Sequence, residues 1–145
     1  MIGDVFRLGD DRLDSATLVR LSKAANPPLV VSQAARERVE AHRSHVERVL
    51  GSTKRVYGIN TGFGFLADVA IEKDKLQELQ VNLIRSHACG VGEPIADPLV
   101  RGLLILRAHT FLLGHSAVRW NTIQAVLDLL KYDVLPVIPC QGSVG

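Results

Sequence analysis

"DPLVRGLLILRAHTFLL", residues 97–113, is the stretch on which the fold turns. Aspartate before proline reads as a helix start, with Asp97 as N-cap and Pro98 at the first helical position, where a missing N–H costs nothing. The helix that follows, over about 98–113, carries Leu99, Val100, Leu103, Leu104, Ile105, Leu106, Phe111, Leu112 and Leu113, and is apolar nearly all round. Arg101, Arg107 and His109 within it argue against a membrane span. A helix apolar on every side is covered on every side in its finished protein, so this chain is expected to lack part of that cover.

Helical periodicity dominates the rest as well. Asp14 or Ser15 can cap a short helix carrying Leu18 and Leu21, which the Asn26-Pro27-Pro28 turn ends. Leu29-Val30-Val31 is too short to count as more than an extended connector. From Ser32, a good N-cap, Ala35, Val39, Val46 and Val49 recur at helical spacing while arginines and glutamates fill the other face. A further helix is predicted over about 74–89, ended by Gly90 and Gly92, and a last one over about 121–131 with Ile123, Val126, Leu127 and Leu130. The fold class is therefore mainly α. At the end, Pro136-Val137-Ile138-Pro139 runs extended into Gly142-Ser143-Val144-Gly145 with no cap or polar tail, which reads as the N-terminal, incomplete helical domain of a larger protein.

With 145 residues, 47% apolar and 22% charged, the chain is long enough for a core and too apolar for intrinsic disorder. Seventeen basic against 15 acidic side chains, a formal charge of +2, leave no electrostatic footprint for nucleic acid or an anionic membrane. Small molecules and protein partners fit better. The N-terminus has no basic region followed by an apolar one, and Cys89 and Cys140 form no CxxC pair; both features suit a reducing cytoplasm.

Most candidate chemistries fall away on inspection. Gly58, Gly62 and Gly64 spell neither GxGxxG nor a GK[ST] loop. His42 and His45 sit among Arg and Glu with no third ligand, so no metal is predicted. His109 and His115, six apart, read as core or helix-end histidines. Ser86-His87 places a hydroxyl beside an imidazole just before a glycine stop, and on the residues alone a satisfied, partly buried histidine is the plainer reading. Tyr57 heads "YGINTGFG" (57–64), whose three glycines each cost about 1 kcal/mol relative to Ala on ordering. A loop that costs this much is usually kept where backbone must approach or close over a ligand.

"YGINTGFG" (57–64), "LQVNLIRSHACGVGEP" (79–94), "LILRAHTFLLGHSAVR" (104–119) and "LPVIPCQGSVG" (135–145) together resemble, in order and spacing, the N-terminal part of the aromatic amino-acid lyase family, in its histidine ammonia-lyase branch. The resemblance covers the chain from about residue 50 onward. It implies an all-α lyase whose electrophile, 4-methylidene-imidazol-5-one, forms autocatalytically from an Ala-Ser-Gly tripeptide directly after a Gly-Ser-Val-Gly sequence, here Gly142, Ser143, Val144 and Gly145. Neither pyridoxal phosphate nor a metal is implied.

The same resemblance assigns the catalytic base to Tyr57, on an active-site loop of Gly58, Asn60, Thr61, Gly62, Phe63 and Gly64, and substrate contact to Ser86 and His87. A phenol titrates at about 10 in water, so such a base needs surroundings that favour its anion. Where tyrosine-specific relatives have His-Leu and phenylalanine-specific ones Phe-Leu, this sequence has Ser86-His87, which implies loss of ammonia from L-histidine to give trans-urocanate. The alternatives are a phenylalanine or tyrosine ammonia-lyase, an aminomutase of the same family, or a non-enzymatic helical assembly module. The implied partners are the remainder of the lyase polypeptide and further copies in a homotetramer. Two departures stand out: many relatives have Asn at His109 and Gly at Ala117, positions that bear on close packing more than on catalysis.

Overall fold

The computed structural model of the chain describes residues 5–52, 56, 59 and 75–142. Among them the order is β1 (Phe6–Leu8), α1 (Ser15–Ser22), β2 (Leu29–Val31), α2 (Gln33–Gly51), α3 (Leu76–His87), β3 (Val91–Pro94), α4 (Asp97–Leu112), α5 (Trp120–Lys131) and β4 (Pro139–Gln141). The mainly helical class holds. The chain divides into two compact units, Met1–Ser44 with Pro94–Ile138, and His45–Glu93 with Pro139–Gly145.

The first unit is built round α4. Val100, Ile105, Ala108 and Leu112 are buried, and α4 packs on α1, α5 and β1. Phe6, Leu8, Leu21, Ala35, Val39, Ile123 and Leu130 complete this core. Burial of each large side chain, such as Ile105 or Leu112, contributes about 1.5–3 kcal/mol. The opposite face carries Leu99, Leu103 and Leu106, which are 63%, 49% and 44% exposed. That side of α4 is apolar and exposed. Among the described residues, no helix is long and apolar enough to cross a membrane.

The N-caps read from the sequence hold at α1 and α2 but not at α4. Asp14 accepts from the Thr17 amide at 2.8 Å, and Ser32 from that of Ala35 at 3.0 Å. In α4, Asp97 lies within the helix and Ala96 holds the cap position without a side-chain bond, so the predicted aspartate cap is displaced by one residue. Arg101, read as a charge unfit for a membrane, is 6% exposed and paired with Asp133.

Leu29–Val31 is more than a connector. It pairs in parallel with β1, Phe6 opposite Leu29 and Leu8 opposite Val31, with α1 as the crossover that parallel strands require. Three residues carry too little alternation to announce a strand; the partner, twenty-odd residues away, makes it one. After β1, Gly9 turns the chain at φ +83°, and a Cβ there would stand 2.6 Å from that of Leu112. Arg38 locks the turn, donating through Nη2 to the Gly9 carbonyl at 3.0 Å and to Asp10 Oδ1 at 3.1 Å, and through Nε to the Leu112 carbonyl at 3.1 Å. The Gly9 amide donates to His109 Nδ1 at 3.1 Å, which makes His109 a satisfied helix-end histidine. Burial lowers its pKa below the usual 6.5, against the opposing pull of Asp10 and Asp11.

Candidate active site

The second unit holds Ser86 and His87 on the last turn of α3. Leu79 and Leu83 mark the partly buried stripe of this helix, while Val81 and Ile84 are exposed. The helix stops at His87, earlier than the glycines predicted. Ala88, at φ −80° and ψ 72°, has left helical geometry, although its amide still donates to the Ile84 carbonyl at 3.0 Å. The Cys89 amide closes the end by donating to the His87 carbonyl at 2.9 Å.

Three polar atoms meet on the turn. Ser86 Oγ donates to the Leu83 carbonyl at 2.9 Å, His87 Nδ1 lies 2.8 Å from the same oxygen, and Ser86 Oγ and His87 Nδ1 are 3.0 Å apart. Serine bonding back three residues and histidine four is the ordinary reach of side chains in a last helical turn. Both side chains are exposed, so the partly buried histidine expected from the sequence is corrected here: the apolar stripe of α3 passes beside His87 rather than over it.

The glycines placed as a helix stop serve a strand. Gly92, at φ +91°, lies in β3, and a Cβ there would stand 2.8 Å from Cys140 Sγ. β3 pairs with β4, which leads directly to Gly142. β3 follows the Ser86-His87 helix end and β4 runs into Gly142, so the pair joins stretches more than fifty residues apart in sequence within one unit. Sequence reasoning missed β3 and β4, whose few residues include glycines and prolines and carry no alternating pattern.

Several predicted residues lie outside the described ones: Tyr57, Gly58, Asn60, Thr61, Gly62, Phe63 and Gly64 of the loop, and Ser143, Val144 and Gly145. Among the described residues no three of His, Cys, Asp and Glu are grouped to hold a metal ion. Cys89 and Cys140 are free thiols and exposed. His42 and His115 meet edge to face at 6.1 Å in the first unit. That unit also has a cavity of about 220 Å³ lined by residues including Leu29, Val31, Leu127, Asp128 and Lys131, and none of the candidate residues.

The sequence profile of the aromatic amino acid lyases matches residues 13–145. The chain belongs to the aromatic amino acid lyase family. It is 49% identical over 115 residues to the histidine ammonia-lyase of Deinococcus radiodurans, covering 79% of this chain and 22% of that protein. The chain thus spans about a fifth of the length of the curated lyases it matches. Among solved lyase-family structures, it superposes on the histidine ammonia-lyase of Trypanosoma cruzi with a TM-score of 0.81 at 34% identity, over 94% of this chain and 27% of that one. On the ergothionase of Treponema denticola, solved with desmethyl-ergothioneine sulfonic acid, it gives 0.88 at 29% identity, over 97% of this chain and 28% of that one. These lyase neighbours share its helical fold.

Proposed function

We propose that the chain forms part of a histidine ammonia-lyase, in which His87 binds the imidazole of L-histidine and Tyr57 removes its β-proton, giving trans-urocanate and ammonia. The observation that carries the reading is the β3–β4 pair, which sets the Ser86-His87 helix end and Gly142 on one compact unit. Relatives named histidine ammonia-lyase, at close to half identity, support the choice of substrate over phenylalanine or tyrosine.

Each residue has a definite task. His87 offers an imidazole edge on an exposed turn, a polar contact that a histidine ring can return and a phenyl ring cannot. Tyr57, at the head of a glycine-rich loop, acts as general base once its anion is stabilised. The methylidene-imidazolone would follow β4, which Gly92 lets lie close against β3, where a Cβ would stand 2.8 Å from Cys140 Sγ. When formed from an Ala-Ser-Gly tripeptide after Gly145, that group supplies the electrophile that makes the amine a better leaving group. The remainder of the lyase and further copies of it, in a homotetramer, are the proposed partners.

The test is kcat/KM for histidine and for phenylalanine in the full-length lyase and its His87→Leu variant. A substrate ring nitrogen left without its partner in the closed site of the full-length lyase is expected to cost roughly 10- to 200-fold with histidine and less with phenylalanine. In the same assay Tyr57→Phe is expected to lower histidine turnover roughly 10²- to 10⁴-fold. An unchanged substrate ratio removes His87 from the specificity site.

A further inference from the structure

The three-atom contact at the end of α3 determines more than the place of His87. A carbonyl oxygen has lone pairs and no hydrogen, so the 2.8 Å contact between Leu83 O and His87 Nδ1 is a hydrogen bond only if Nδ1 carries the proton. Ser86 spends its hydroxyl hydrogen on the same carbonyl, at 2.9 Å, which turns its own lone pairs toward Nδ1, 3.0 Å away. Both neighbours of Nδ1 are acceptors toward it. A neutral imidazole has one N–H, and the bond made by one nitrogen decides the state of the other. With the proton held at Nδ1, Nε2 is left as a bare acceptor on an exposed ring.

We propose that Ser86 is a positioning residue which, together with the Leu83 carbonyl, holds His87 in the Nδ1–H tautomer, so that Nε2 selects a substrate ring presenting an N–H donor. The proposal rests on the histidine reading above and adds the direction of the hydrogen bond. Histidine meets the requirement through the N–H of its own neutral ring. A thiazole of the same size, with a ring nitrogen but no ring hydrogen on it, sets lone pair against lone pair. A phenyl ring offers nothing to Nε2 at all.

Selectively ¹⁵N-labelled histidine in the full-length lyase, with His87 assigned by difference against His87→Gln, reports which nitrogen is protonated at a pH where the ring is neutral. The expected result is Nδ1–H. Ser86→Ala should shift the population toward Nε2–H and raise KM for histidine roughly 3- to 10-fold, the worth of one ordinary hydrogen bond, with kcat within about twofold. Ser86→Thr keeps the hydroxyl and should restore both. 3-(4-Thiazolyl)alanine should be a poor substrate for the wild type, and its disadvantage against histidine should shrink in His87→Leu. A serine that only caps the turn would lower the melting temperature and leave tautomer and KM alone. An Nε2-protonated ring in the wild type, or a KM indifferent to Ser86→Ala, overturns the proposal while the histidine reading stands. An unchanged histidine-to-phenylalanine ratio in His87→Leu overturns that reading, and the proposal with it.

Discussion

Arg101 donates to a single oxygen of Asp133 through both Nε, at 3.1 Å, and Nη2, at 2.7 Å, and spends Nη1 on the Ser22 carbonyl at 2.8 Å. The two ends of the pair are unlike. The arginine side chain is 7% exposed and the aspartate 37%. The bond ties the turn after α5 to the end of α1 through a buried residue in the N-terminal part of α4.

Removing either partner is therefore expected to cost different amounts. Asp133→Ala strands a buried cation and places alanine at φ 51°, for a loss of about 3–4 kcal/mol. Arg101→Met leaves an aspartate that water can reach, and should cost about 1–2 kcal/mol, mostly the unpaired Ser22 carbonyl. Asp133→Asn should fall between them. Urea titration of the three variants checks the order, and Arg101→Met proving the worst would refute it.

His109 gives the first unit a pH dependence of known sign. Burial holds its folded pKa below the ordinary 6.5, and neutral Nδ1 accepts from the Gly9 amide. As pH falls through about 6.5 the unfolded chain gains a proton that the folded one refuses, so stability is full above that value and declines below it until the depressed folded pKa is passed. Asp10 and Asp14 also lose stabilisation in acid, but from their ordinary 3.8 downward, a separate window. His109→Asn keeps an acceptor without a titration. Melting temperature against pH should flatten just below about 6.5 in that variant, and an unaltered slope there would exclude His109 as its source.

Legibility followed the range of the forces involved. α1, α2, α4 and α5 could be read because apolar positions at helical spacing and caps such as Asp14 and Ser32 act within a few residues. β1, β2, β3 and β4 could not, since three or four residues take strand form only when a distant partner supplies the bonds. The same blindness misplaced Gly90 and Gly92, whose role depends on Pro139 and Cys140. The motif singles out Ser86 and His87 but not their exposure or their shared bond to Leu83, because which way a last-turn side chain folds back is decided by rotamer rather than by residue type.

Ala117, where the family resemblance leads one to expect glycine, sits at φ 47°, a conformation that costs a residue with a Cβ about 1–2 kcal/mol. Its carbonyl accepts from Arg43 Nη1 at 3.4 Å, a contact that glycine can keep. Ala117→Gly should stabilise by about 0.5–1 kcal/mol after the greater entropy of unfolded glycine is subtracted. The contrasting change, Gly9→Ala, meets both a positive φ and Leu112 and should cost more than about 2 kcal/mol. Denaturant midpoints decide it: a destabilised Ala117→Gly would mean that the strain is relieved elsewhere.

Gly92 connects the packing of the second unit with the proposed chemistry. An alanine there needs φ near +91° and puts its Cβ 2.8 Å from Cys140 Sγ, so either Cys140 turns away or β3 and β4 part. Parting moves Gly142 relative to His87, and misplacement of about 1 Å between reacting groups can cost roughly 10²-fold in rate. Gly92→Ala should thus lower kcat/KM for histidine by about that factor in the full-length lyase, while Cys140→Ala, which only removes an exposed thiol, should stay near wild type. The double variant separates the two causes. If the sulfur contact dominates, Gly92→Ala with Cys140→Ala recovers much of the lost activity; if backbone strain dominates, it recovers none. A Gly92→Ala enzyme as active and as heat-stable as wild type would show that close contact of these strands does not position the site.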